Sequence, residues 1–539
     1  MVRSTMEPLD SLLEKLTVPP DAWEPFGRRV AKVDSNHPQI LDRPRKGKVV
    51  LITGMTPTGH GVGKTVTMLS LASALHRRGS RVMACLRQPS MGPVFGIKGG
   101  GAGGGRATVE PFVEVNLGLT GDLDAVTNAH NLLAALIDNH LHHGNALNLD
   151  PEAVLWPRAL DVEDRALRHL QIGLGTGNGP SRSGNFVITP ASEVTAILGL
   201  AESPTDLTDR LGRILIGKSR AGRILRASDL KAEGAMAAIL RKAIRPNLLT
   251  TPEGAPVLVH GGPFGNLSYG TTTLRSIHLA QRLADVVLVE AGFGTDLGGE
   301  KFVDLVAPQG DLAPAAAVVV ASVPGIRAHS AGGPESLTPG LENLEKHLEN
   351  VRSFGLDPVV ALNQFPEDSE SDLRAVADFC ASRRVGLARN LGYAEGGAGA
   401  EALGELTLQA LGAGRRSRPI YQAGEPLMDK INAVVKGMYG GEGADLSSAA
   451  VEEQSSGVLE GTERFPVCLA KTPLSLTDDP KRLGRPKGFR VQVQSLVPAA
   501  GAGYLVALLG KIETMPGLPG EPRAFEIRLG ADGTVLGIS

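Results

Sequence analysis

The chain has 539 residues, 42% of them hydrophobic and 21% charged, several times the length that one hydrophobic core needs, so two to four domains are expected. Its 55 Lys+Arg against 57 Asp+Glu leave a formal net charge of -2, which excludes a disordered polyelectrolyte and gives no electrostatic reason to expect nucleic acid or an anionic membrane as a partner. Glycine is abundant at 68 residues, while 13 Phe, 5 Tyr and 2 Trp supply few rings, so an exposed ring is informative.

In chain order, residues 1–46 mix charges, prolines and short helical patterns such as Leu9, Leu12, Leu13 and Leu16, and are expected to form an N-terminal arm without a signal-peptide core. Lys48 to Thr53 is a β-branched apolar run, followed by a Gly/Thr/Pro loop and by Met68, Leu71, Ala72 and Leu75 at helical spacing. Gly79 is expected to stop that helix, and Arg81 to Leu86 is the next strand, which makes residues 48–86 a β-loop-α-β unit of a parallel sheet. Further buried strands are predicted at Ala255–His260, Asp285–Glu290, Ala315–Val323 and Pro358–Asn363. Their runs are continuous rather than alternating, which favours a mostly parallel sheet covered by helices on both faces: an α/β fold. Ala315–Val323 has about the length of a buried strand and falls far short of the ~20 residues that a membrane helix needs. Around residues 440–465 the composition shifts to Gly, Ser and Glu, as in a linker or surface excursion. Cys85, Cys380 and Cys468 are odd in number and far apart, which supports neither a disulfide framework nor a zinc site and points to the cytoplasm.

Thr56-Pro-Thr-Gly-His-Gly-Val-Gly-Lys-Thr65 lies between a strand and a helix, where a phosphate-binding loop must lie to aim its amides and the positive helix end at anionic oxygens. It is a variant P-loop, because Thr58 stands where the pattern has its first Gly. Thr58, Gly59, His60, Gly61, Val62, Gly63, Lys64 and Thr65 are the candidate nucleotide-binding residues, with Lys64 on the β/γ-phosphates and Thr65 on Mg²⁺. Arg87, Lys98 and Arg106 then flank the glycine run from Gly99 to Gly105 beside the second strand end, a cation-rich and donor-rich segment suited to a second anionic group. His140, His142 and His143 lack the Cys or carboxylate that would complete a zinc set and are expected on a helix face. Asp296, Glu300 and Lys301 follow a buried strand in a Gly-rich loop, for which a site role is expected.

Strings of this kind run through nearly the whole chain: Pro89-Ser-Met-Gly-Pro-Val-Phe-Gly-Ile-Lys98, Leu119-Thr-Gly-Asp122, His260-Gly-Gly-Pro-Phe264, Glu290-Ala-Gly-Phe-Gly-Thr-Asp-Leu-Gly-Gly-Glu-Lys-Phe302, Asn363-Gln-Phe-Pro366, Leu483-Gly-Arg-Pro486 and Thr514-Met-Pro-Gly-Leu-Pro519. In kind and order they resemble the formate–tetrahydrofolate ligase family. The resemblance implies ATP-dependent activation of formate to formyl phosphate, attack by N10 of tetrahydrofolate, and the products 10-formyltetrahydrofolate, ADP and phosphate, in a homotetramer. It implies that Lys64 and Thr65 serve the phosphates and Mg²⁺, that Arg87 binds formate and then formyl phosphate, that Gln88 stands at a catalytic position, and that Phe365 and Tyr393 sandwich the folate. The expected division is an arm at 1–46, a P-loop domain at 47–350, a second α/β domain with the folate-stacking loops at 351–445 and a C-terminal domain at 446–539.

Five positions depart from the family's pattern. Its Arg-Glu-Pro-Ser reads Arg87-Gln88-Pro89-Ser90, which replaces a carboxylate near a monovalent-cation site by an amide and puts cation activation in doubt; its P-loop Glu is Val62; two of its His are Asp124 and Tyr269; and its Trp is Tyr393. Two alternatives follow: a paralogue of the same fold ligating another small carboxylate or pterin, and a weakened nucleotide- or folate-binding protein with a regulatory role.

Overall fold

The computed structural model describes residues 8–58, 61–330, 336–510 and 512–539. Its centre is a ten-stranded sheet formed by Trp23–Phe26 (β1), Val30–Val33 (β2), Lys48–Gly54 (β3), Val82–Leu86 (β4), Asn247–Thr250 (β5), Pro256–Val259 (β6), Val286–Glu290 (β7), Ala316–Ser322 (β8), Pro358–Asn363 (β9) and Gly386–Asn390 (β10). The spatial order is β1-β2-β5-β6-β4-β7-β3-β8-β9-β10. From β6 to β10 every pairing is parallel, whereas β1, β2 and β5 pair antiparallel. The apolar runs that the sequence marks as strands therefore form the parallel part. Every residue of β4, β7, β8 and β9 is buried, as the continuous runs require when both faces are covered.

Between β3 and β4 lies helix α1 (Lys64–Arg77), which ends before Gly79 at φ +80°. β7 sits between these two strands, so the β3-α1-β4 unit straddles a strand contributed from 200 residues later. The sheet is continuous across residues 46/47 and 350/351: β1 and β2 extend one edge, β9 and β10 the other.

A second sheet is built from Gly443–Leu446 (β11), Val467–Ala470 (β12), Arg490–Ala499 (β13) and Tyr504–Leu509 (β14), in the order β11-β13-β14-β12. The expected linker at 440–465 is thus corrected, because it supplies β11 and the helix Ser448–Ser455. Ser447 caps that helix by accepting from Ala450 N at 3.2 Å, and Ala450 is its one fully buried side chain. A helix that buries so little has the composition of a linker.

Among the described residues, no helix is long and apolar enough to cross a membrane. Cys85, Cys380 and Cys468 are buried free thiols, and burial pushes Cys380 up to about 12. His142 and His143 meet edge-on at 4.6 Å at the end of the helix Asp122–His142 (α2), and no group of three potential metal ligands occurs among the described residues.

Candidate functional site

Because β6, β4, β7, β3, β8, β9 and β10 run parallel, their C-terminal ends share one edge, where an open α/β sheet holds its ligands. At β3 the chain leaves through Gly54 and enters α1 through Gly61 and Gly63, both at φ +78°. That left-handed backbone is open to glycine and strained for other residues. Thr58 turns the loop, its carbonyl accepting from Gly61 N at 3.0 Å; Gly59 and His60 lie outside the described residues. Asn363, the last residue of β9, donates from Nδ2 to Val62 O at 2.8 Å and Gly63 O at 3.3 Å. A β-carbon on Gly63 would stand 2.5 Å from that nitrogen. The first-turn amides of α1, which no helical carbonyl can accept, are thereby aimed out of the edge together with the positive end of the helix.

On the other side of the loop, Thr56 N donates to His347 Nε2 at 2.8 Å, and Thr295 lies 2.7 Å from Nδ1 of the same ring. Burial pushes His347 down to about 3, so the ring is neutral, accepting at Nε2 and donating at Nδ1. Asp296, within 4.0 Å of His347, is paired with Lys471 at 2.8 Å. Asp296, Glu300 and Lys301 are all buried; they support the edge from beneath and are neither solvated nor exposed on it.

Four charged or hydroxyl side chains meet above the first turn of α1. Thr65 Oγ1 donates to Glu290 Oε2 at 2.8 Å. Arg87, on the residue after β4, donates from Nη1 to Pro263 O at 3.1 Å, and its Nη2 lies 4.0 Å from Glu290 Oε1. Lys64 is half-buried and makes no hydrogen bond or ion pair among the described residues. Burial first, then the charges of Arg87 and Lys98, lower its pKa to about 8 against the upward pull of Glu290. Three cations around one carboxylate, beside a helix N-terminus, form an arrangement that an anion completes.

Gln88 is 2% exposed. Its backbone N donates to Gly261 O at 2.5 Å and its Nε2 to Gly118 O at 3.2 Å, while its buried Oε1 has no partner among the described residues. Asp161 then receives Met91 N at 3.1 Å and Ser90 Oγ at 2.5 Å, fixing the chain as it enters the glycine run. That run ends against Tyr393, whose ring lies 3.1 Å from a β-carbon built on Gly104 and whose carbonyl accepts from Arg106 N at 2.8 Å. Tyr393 is 65% exposed and Phe365 43%. Their loops leave adjacent strands whose last residues, Asn363 and Asn390, are bonded at 2.7 Å.

The remaining departures point different ways. Val62 is buried against Gly54 and Gly325 and contributes an apolar wall. Asp124 is exposed at the head of α2, over the Gly118–Gly121 turn that receives the Gln88 amide. Tyr269 is fully buried, its hydroxyl pointing to Ala196 O at 3.4 Å over Gly199, where any β-carbon would collide with it. Sequence reasoning missed the parts played by Glu290, Asn363 and Asn390; the available signal is that Glu290 and Asn363 are the polar last residues of apolar strands ending on the ligand edge, whereas the strand of Asn390 carries no such apolar run.

A model of the family described as formate–tetrahydrofolate ligase matches residues 2–539. The chain belongs to the formate–tetrahydrofolate ligase family. It is 45% identical over 547 aligned residues to the protein of that name from Thermus thermophilus, covering 100% of this chain and 99% of the relative. The Staphylococcus aureus protein of that name is 42% identical over 545 residues, covering 99% and 98% respectively. The chain is thus collinear with formate–tetrahydrofolate ligases from end to end.

Proposed function

We propose that the protein joins formate to tetrahydrofolate with ATP, through formyl phosphate, releasing 10-formyltetrahydrofolate, ADP and phosphate. The observation that carries this reading is the cluster of Lys64, Thr65, Arg87 and Glu290 at the head of α1, next to two exposed rings on adjacent loops. Backbone amides of the Thr58–Gly63 loop and Lys64 would hold the nucleotide phosphates. Thr65 and Glu290, a hydroxyl and a carboxylate in contact, fit Mg²⁺, whose other ligands would be phosphate oxygens and water. When bound, the ion neutralises charge on the phosphates.

Arg87, held by Pro263 and near Glu290, would orient formate so that its oxygen attacks the γ-phosphorus as ADP departs. N10 of the folate would then attack the formyl carbon; phosphate leaves with the bonding pair, and the N10 proton is lost. Phe365 and Tyr393 would stack the pterin. Gln88, neutral and buried, would orient neighbouring groups by hydrogen bonding and supply no base, so monovalent-cation activation is expected to be weak. The deciding experiment gives the purified protein ATP, Mg²⁺, formate and tetrahydrofolate. Formation of 10-formyltetrahydrofolate supports the proposal, whereas folate-dependent ATP turnover only with another acid, or binding without turnover, replaces it by one of the two alternatives.

A homotetramer, in keeping with the preference of soluble enzymes for closed symmetric assemblies, is part of the same reading. Sedimentation at the mass of one 56.2 kDa chain would refute it. A cytoplasmic location fits three buried cysteines kept as thiols.

A further inference from the structure

Residues 89–101 join the two halves of the site. The segment starts directly after Arg87 and Gln88, and it leads into Gly104 and Gly105, where β-carbons would stand 3.1 and 2.9 Å from the Tyr393 ring. Its own ends meet. A β-carbon on Gly101 would stand 3.0 Å from the Pro89 ring, and Gly101 N donates to Asn116 Oδ1 at 2.7 Å. A loop closed at its neck and rooted on a ligand edge has the build of an active-site lid. Asp161 holds its start through Ser90 and Met91. Further along, a β-carbon on Gly92 would stand 2.7 Å from Ile188 Cδ1, and one on Gly96 would collide with Glu163 Oε2.

Residues 512–539, which follow β14, form a strap across this arrangement. Thr514 O accepts from Ile188 N at 2.9 Å. Met515 is buried, and its carbonyl accepts from Arg168 Nε at 2.8 Å. The far part of the strap reaches the loop itself, where Ser539 N donates to Gly99 O at 3.2 Å. A β-carbon on Gly99 would stand 2.8 Å from Arg523 Nε, and one on Gly100 would collide with Ser539 O. Arg523 ties these contacts together: its Nη2 donates to Ser539 Oγ at 3.2 Å, and its Nη1 pairs with Glu526 at 2.8 Å. The places that two side chains would take on the loop are thus filled by the strap.

We propose that residues 89–101 are a lid that keeps water from formyl phosphate, and that Arg523 is the positioning residue through which the strap sets the lid's fit. This rests on the ligase reading above. Formyl phosphate that meets water before N10 is lost: the water oxygen bonds to the formyl carbon and the bond from that carbon to the phosphate oxygen breaks. Phosphate leaves with the bonding pair, the water protons pass to phosphate and solvent, and formate is regenerated at the expense of one ATP. A segment anchored at Arg87 on one side and at Tyr393 on the other is placed to prevent this, provided that its middle is held. Gly99 and Gly100 let the strap approach closely enough to hold it.

The test compares wild type with Arg523→Ala, Arg523→Lys, Gly100→Ala and the Arg523→Ala/Gly100→Ala double variant in the full chain. It measures ADP formed per 10-formyltetrahydrofolate, kcat/KM for formate, ADP affinity by calorimetry, thermal unfolding, and amide hydrogen exchange of residues 90–101. Arg523→Ala is expected to raise the ratio of ADP to product about threefold or more and to lower kcat/KM for formate about tenfold. ADP affinity should stay within about twofold, because the strap does not touch the Thr58–Gly63 loop. Arg523→Lys, which keeps the charge facing Glu526 but has a single nitrogen, should fall between wild type and Arg523→Ala. Gly100→Ala should act in the same direction and add little to Arg523→Ala, since both loosen one contact. Exchange should quicken in residues 90–101 and not in α1.

A wild type active on formate, with Arg523→Ala within about twofold of its ADP-to-product ratio, overturns the lid and leaves the ligase reading standing. Lower activity that follows a lower melting temperature at an unchanged ratio overturns it equally, since Arg523 would then serve the fold alone. Additive losses in the double variant overturn the shared contact. A wild type that does not use formate overturns the ligase reading and with it the protection of formyl phosphate. Hydrogen exchange then decides the strap by itself: faster exchange confined to residues 90–101 in Arg523→Ala keeps the positioning contact, and unchanged exchange overturns it.

Discussion

Lys64 and Gln88 each carry a chemical consequence in a single side chain. Burial, Arg87 and Lys98 together bring Lys64 to about 8, with Glu290 pulling it back up. Below that pH the side chain is an ammonium group and above it a neutral amine, and bound phosphate favours the ammonium form. In the free protein kcat/KM for ATP should therefore fall on the alkaline side with a midpoint near 8, while kcat at saturating ATP holds to higher pH. Lys64→Arg should remove that alkaline limb; a flat kcat/KM for ATP from about pH 7 to about pH 9.5 in wild type would refute the assignment. At Gln88 the amide donates to Gly118 O at 3.2 Å. Gln88→Glu replaces that donor by a second acceptor and sets two oxygens against each other in a buried place, a conflict that a bound cation resolves. The variant's formyl transfer should then rise with potassium while wild type responds weakly. Identical rates with potassium and sodium in both proteins would show that this position sets no cation response.

At the scale of elements, the Thr58–Gly63 loop is held by strands distant in sequence. Asn363 donates to Val62 O and Gly63 O and accepts from Thr67 Oγ1 at 2.8 Å and Asn390 Nδ2 at 2.7 Å. Asn363→Ala leaves these buried groups unsatisfied, which costs about 1–3 kcal/mol for each that finds no new partner. It should lower the melting temperature by several degrees and weaken ATP binding about tenfold, read by calorimetry at constant Mg²⁺; a fall in melting temperature with ATP affinity unchanged would mean that the clamp supports the fold and not the loop. Six strands of the central sheet are legible in the sequence to within two residues, because their apolar runs are buried on both faces and nothing else competes for the pattern. β1, β2, β5 and β10 were not legible. β1 has one exposed and three half-buried residues, and the alternation in β10 is as irregular. The loop that starts α1 was legible through its glycines and Gly-Lys-Thr; its clamp was not, since Asn363 and Gly63 are 300 residues apart.

For the molecule as a whole, stability should depend on pH through a buried carboxyl pair beneath the site. Glu300 is fully buried and Asp304 3% exposed. Asp304 Oδ1 accepts from Ile420 N at 2.9 Å, while Asp304 Oδ2 and both Glu300 oxygens find no protein donor among the described residues. Lys301, between them in sequence, is committed to Gly265 O at 2.9 Å and Ser268 O at 3.1 Å. A proton shared by the two carboxyl groups satisfies this geometry. Burial, with the facing carboxylate, raises Glu300 well above its usual range, and burial raises Asp304 to about 7. Asp296, Lys301, Tyr421, Tyr439 and Cys468 complete the charged and titratable surroundings. Because the folded pKa values lie above the unfolded ones, the native state holds a proton that the unfolded chain releases near pH 4. The unfolding free energy should consequently fall as pH rises from about 4 towards 7 and beyond, by at most about 1.4 kcal/mol per pH unit for each such proton. Glu300→Gln supplies a permanent N–H donor to Asp304 and should flatten this slope. Relative to wild type, the variant should be about equally stable at pH 5 and more stable at pH 8, followed by denaturant unfolding at both. Parallel wild-type and variant curves across that range would show that the pair holds no shared proton.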